Sequence, residues 1–154
     1  MSKPTRNRVL ILVAVILAAA GVYFANMMLP GGALTGTTTA VPDDWTDVSV
    51  PDIVELETNP ADPYSVKIWS IPVGNLVYIH AGDNYATWVQ HIEKDPSVRL
   101  LAEDRLYELH AERVTSAEEF AAFMVAYKER YDTEPRNKNI SEVYLFRLSA
   151  KPAE

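Results

Sequence analysis

The 154-residue chain predicts a mainly β (α+β) domain: a small, closed or half-closed barrel of six mostly antiparallel strands with two flanking helices, preceded by one N-terminal transmembrane helix. Three observations carry this reading. Short runs rich in β-branched and aromatic residues recur between turn residues, two segments switch to the helical period of 3.6, and one long apolar run stands alone at the start.

That run comes first along the chain. Every residue from Val9 to Ala25 is apolar or glycine, and after Asn26 the run resumes with Met27, Met28 and Leu29. Twenty-one helical residues at 1.5 Å each cover roughly 30 Å, the hydrocarbon thickness of a bilayer. Lys3, Arg6 and Arg8 precede the run and no acid occurs before Asp43, so residues 1–8 are expected in the cytoplasm, 9–29 in the membrane and the domain on the extracytoplasmic side. The competing reading is an exported domain released by signal cleavage, because Ala18-Ala19-Ala20 satisfies the small-x-small pattern. Residues 30–42 (PGGALTGTTTAVP) lack charge and period and are expected to be a flexible linker, with the barrel domain over 43–154.

Within the domain, strands are expected at Ile53 to Thr58, Ser65 to Val73, Leu76 to Ala81, Val98 to Leu101, Arg105 to Val114 and Val143 to Ser149. Gly74-Asn75 supplies a two-residue hairpin turn, and Glu103-Asp104 turns the fourth strand into the fifth. Between Asp83 and Asp95, Tyr85, Trp88, Val89 and Ile92 fall on one helical face, with Asp83 or Asn84 as cap. Ser116 and Glu119 form a capping box ahead of the stripe Phe120, Phe123, Met124, Tyr127 and Tyr131, which Pro135 is expected to end. Short turns between successive strands make the sheet mainly antiparallel, and closure into a barrel with the helices outside is the natural packing.

Composition excludes several activities. With no cysteine there is no disulfide, thiolate metal site or Cys nucleophile. Net charge is −7; the three basic residues before the apolar run leave 11 basic against 21 acidic residues, a net of −10, which would repel a polyphosphate, so no nucleic-acid partner is expected. His80, His91 and His110 lack the i, i+4 spacing of a helical metal pair, and no metal is expected. Glu55 and Glu57, two apart, read as the outer face of a strand. Trp88 reads first as a packing anchor in its helical stripe, and Lys67 reads equally well as a surface lysine.

The order of elements, with Leu76-Val77-Tyr78-Ile79-His80 leading into Trp88-Val89-Gln90-His91-Ile92 and then Asp95-Pro96-Ser97-Val98, resembles the flavin-binding split β-barrel superfamily, nearest to its deazaflavin-dependent nitroreductase-like members. The resemblance covers roughly Val54 to Leu148 and implies an oxidoreductase that uses FMN or a deazaflavin on a small acceptor. It implies cofactor contacts from Ser65 and Lys67, which keep the polar and basic types of the family's turn, and from His80, Trp88 and His91. The alternative is a non-enzymatic binding module of the same fold without cofactor, since Asp62 in that turn has the wrong charge for a phosphate. A small-molecule ligand, the membrane and a second copy of the chain are the partners that remain open.

Overall fold

The computed structural model describes residues 3–82 and 85–151, with side chains of the first helix described at 8–22. Helix α1 spans Lys3–Met28. Seven strands follow: β1 Thr37–Thr38, β2 Ile53–Thr58, β3 Tyr64–Val73, β4 Leu76–Ala81, β5 Ser97–Ala102, β6 Arg105–Arg113 and β7 Tyr144–Ala150. Helix α2 (Thr87–Lys94) lies between β4 and β5, and α3 (Ala117–Tyr131) between β6 and β7.

The sheet order β6-β5-β2-β3-β4-β7 closes on itself through β6–β7 pairing, giving a six-stranded barrel in which every neighbouring pair is antiparallel. Closure leaves no long unpaired edge. The hairpin turns fall where turn residues were expected, with Gly74 (φ 55°) between β3 and β4 and Glu103 (φ 60°) between β5 and β6.

Alternation along the strands sorts side chains into two cores. Val54, Leu56, Val77, Ile79, Leu100, Leu109 and Leu148 point into the barrel, where Trp88, Val89 and Ile92 of α2 join them. On the outer face, Ile71, Tyr78 and Leu145 meet Phe120, Phe123 and Tyr127 of α3. Ser116 Oγ accepts the Glu119 N–H at the start of α3. The helix stops three residues before Pro135, at Asp132, whose left-handed backbone (φ 49°) ends it.

Helix α2 starts later than its periodicity suggested. Ala86 is its N-cap and makes no side-chain cap bond, and Tyr85 precedes the helix as an exposed residue. The expected caps Asp83 and Asn84 lie outside the described residues.

Residues 30–42, expected as a flexible linker, run along the barrel as a strap. Gly31 and Ser65 exchange two backbone hydrogen bonds of 2.8 and 3.0 Å, and the Leu34 N–H donates to Glu57 Oε2 at 2.5 Å. Further on, β1 pairs in parallel with the start of β6, on the edge that β7 leaves free. Absence of hydrophobic period was misleading here, because the segment is held largely by backbone hydrogen bonds, with only Leu34 and Val41 adding packed side chains.

Glu57 is the second correction. It is buried and takes a bidentate pair from Arg99 (2.7 and 2.6 Å), so it is a fixed anion beneath the strap and not a solvated strand-face residue.

Among the described residues no helix is long and apolar enough to cross a membrane.

Candidate ligand cleft

On the outer face of the barrel, Lys67 and Trp69 stand two residues apart on β3, and His80 stands on β4 with its buried neighbours Val77 and Ile79 facing the opposite way. Helix α3 covers this face only in part. Ile71, Tyr78 and Leu145 lie beneath the helix, whereas Lys67 and Trp69 remain exposed beside it. The segment after α3 folds over the gap and makes the opposite wall.

A cavity of about 750 Å³ results, lined by Trp69, His80, Gly82 and Tyr127 on one side and by residues 133–137 on the other. A recess of about 320 Å³ shares Trp69 and His80 and continues to Lys67, Ile53 and Ile68. Volumes of this size suit a small organic ligand.

The aromatic wall is held rigidly. Trp69 stacks on Tyr131 with centroids 4.6 Å apart, and Tyr131 donates its hydroxyl proton to the Ser70 carbonyl at 2.7 Å. Tyr127 packs edge-on to both Tyr131 (5.0 Å) and His80 (5.3 Å). Burial raises the hydroxyl pKa of Tyr127 and Tyr131 above the usual phenol value, so both stay protonated.

His80 is the one titratable group in this wall suited to neutral pH. Its ring sits against Phe123 (5.4 Å) and Tyr127, and burial pushes its pKa below that of a free imidazole. The ring is therefore neutral near pH 7, with one nitrogen a donor and the other an acceptor. Nδ1 is buried and has no hydrogen-bond partner among the described residues. A buried polar atom without a partner costs free energy.

The five residues expected at a cofactor site do not come together. Lys67 and His80 line the connected cavities. Ser65 is buried under the strap, where a Cβ added to Gly31 would come within 2.5 Å of its Oγ. Trp88 is buried in the barrel core with its ring 5.8 Å from Phe146. His91 braces α2 against β2, its Nδ1 3.0 Å from Thr58 Oγ1 and its ring edge-on to Tyr64. Among the described residues no group of three metal-ligating side chains forms.

Sequence reasoning missed Trp69, Tyr127, Arg136 and Asn137 as cleft residues. The signal for Trp69 was its placement two residues from Lys67, a large aromatic on an outward strand face. Tyr127 gave none, because it shares the buried stripe of α3.

No family model and no curated protein matches the chain. Solved structures do match in fold. A candidate pyridoxamine 5′-phosphate oxidase from Listeria innocua aligns with TM-score 0.52 at 8% identity, over 66% of this chain and 86% of that one. The heme storage protein HutZ from Vibrio cholerae aligns with TM-score 0.54 at 16% identity, over 66% and 83%. A conserved hypothetical protein from Mycobacterium tuberculosis aligns with TM-score 0.55 at 18% identity, over 70% and 77%.

This chain has the flavin-binding split-barrel fold. In this split barrel the strap covers the turn that the sequence resemblance assigned to an anionic cofactor. At these identities the likeness speaks for the fold alone.

Proposed function

We propose that the chain is a membrane-tethered split barrel of the oxidoreductase kind, which takes a flavin-type ring, FMN or a deazaflavin, in the cleft between β3, β4 and the end of α3. One observation carries the reading: a cavity of about 750 Å³ whose inner wall is made by Trp69, Tyr127 and the neutral imidazole of His80. Trp69, its ring exposed, offers flat apolar surface for a planar ring, Tyr127 backs the wall, and His80 is the polar group beside them. Lys67 and Arg136, both exposed on the rim, are the cations available to an anionic side chain, because Ser65 is closed off by Gly31.

A bound flavin supplies hydride and electron exchange with a small acceptor. The protein's own part is to orient and to exclude water. The Trp69–Tyr131 stack fixes the wall, and neutral His80 adds a polar edge to the lining without adding charge. The tether rests on the apolar run from Val9 to Leu29.

A second reading, a binding module without redox chemistry, is favoured by the closed Ser65 turn and by Asp62 beside it. Titration of the full chain in detergent with FMN and with a deazaflavin, followed by ligand fluorescence, separates the two. Binding that Trp69→Ala weakens about tenfold, near 1.4 kcal/mol, is expected. Binding without reduction of any acceptor would favour the module. Absence of binding up to millimolar ligand by the folded protein would overturn the cofactor reading.

A further inference from the structure

We propose that the barrel is held flush on the lipid surface, with the β2–β3 turn end against the headgroups, and does not hang from a stalk; the proposal rests on the tether reading above. The helix itself points to lipid as its surroundings. Val9, Leu10, Ile11, Leu12 and Val13 are consecutive and each 46–65% exposed, and at 100° per residue five consecutive positions sweep the whole circumference. A protein groove covers one side of a helix. A bilayer covers every side.

The junction is what fixes the barrel. Helix α1 ends at Met28, and Gly31 is already bound to Ser65 by two backbone hydrogen bonds. Three residues reach at most roughly 10 Å, and Pro30 among them has a locked φ. Beyond Gly31 the chain stays attached, at Leu34 to Glu57, at Thr37 to Asp104 and at Thr39 to Leu106. No free length therefore separates the helix from the barrel.

Ser65 stands next to the turn Asn59–Pro63, which carries two prolines, an alanine and a single charge, Asp62. The Gly74–Asn75 turn is at the other end of β3, roughly 30 Å away at strand rise. The helix thus leaves the molecule at the β2–β3 end. Trp69 is four residues along β3 from Ser65, roughly 13 Å, so a fixed orientation keeps the cleft at a constant height above the bilayer.

The chain has no cysteine, so single labels can be placed without background. Full-length protein carrying Leu12→Cys, Ala61→Cys or Asn75→Cys, each with an environment-sensitive fluorophore, is reconstituted in phosphatidylcholine vesicles doped with nitroxide lipids. Ala61 and Asn75 are both exposed turn residues. The expected result is loss of most emission at position 12 with chain-labelled lipid and at position 61 with headgroup-labelled lipid, and little loss at position 75. Six Gly-Ser residues inserted between Leu29 and Pro30 should abolish the difference between 61 and 75. Equal quenching at 61 and 75 without the insertion, while position 12 is quenched, would overturn the flush orientation and leave the tether intact. No quenching at position 12 would remove the tether and the proposal together.

Discussion

Buried Glu57 shows how one side chain ties three segments. Its carboxylate accepts two hydrogen bonds from Arg99 on β5 and one from the strap backbone at Leu34. Removing it leaves a guanidinium and an N–H without partners, so Glu57→Ala should cost about 2 kcal/mol in denaturant unfolding, at the modest end for buried pairs because Arg99 keeps about a third of its side chain in water. Gly36 is constrained by space. A Cβ there would lie 2.7 Å from Leu101 Cδ1 and 2.8 Å from the Asp104 carbonyl oxygen, and the latter is backbone that cannot turn away. Gly36→Ala is expected to destabilise by about 1–3 kcal/mol, and a neutral substitution would show that the strap is looser than its geometry. Spacing in the sequence made neither residue conspicuous. Glu57 shares its two-residue spacing with Glu55 as any solvated strand face would, and only the strap distinguishes them.

At the level of elements, α3 does double duty, since Phe120 and Phe123 cover the outer core and Tyr127, packed with them, also lines the cleft. Tyr78, whose pKa is pushed up to about 12 mainly by burial, donates to Glu119 at 3.0 Å, and Glu119 in turn pairs with Arg147 of β7. This couples the helix start to two strands. Ser116→Ala removes the side-chain cap and should lower stability by about 1 kcal/mol, with ligand binding in the cleft unchanged because Tyr127 lies about three turns away. A loss of binding out of proportion to the loss of stability would show that the whole helix shifts. The helix was legible from its period and capping box, and the strands from their alternation and turns. The strap was not legible, since pairing by backbone leaves no trace in hydrophobic pattern.

For the whole molecule, pH dependence follows from a histidine held neutral. The folded-state pKa of His80 lies below its usual value of 6.5, so as pH falls through 6.5 the unfolded chain binds a proton that the folded chain refuses. The contribution to stability is complete above pH 6.5 and declines below it, toward the lowered folded value. Unfolding titrations between pH 7.5 and pH 5.5 should therefore show a steeper loss for the wild-type chain than for His80→Asn, and parallel curves would place His80 in water. The local elements could be read along the chain: periods of 2 and 3.6, Gly74 and Glu103 at the turns, Ser116 at a helix start, and an apolar run with basic residues before it. These depend on neighbours within a few residues, which is why they can be read in order. Barrel closure through β6–β7, the strap on Ser65 and the meeting of Trp69, His80 and Tyr127 were decided by tertiary structure alone. Each joins residues more than 10 positions apart, and for such pairs the side-chain pattern states that a face is buried or exposed without stating what it faces.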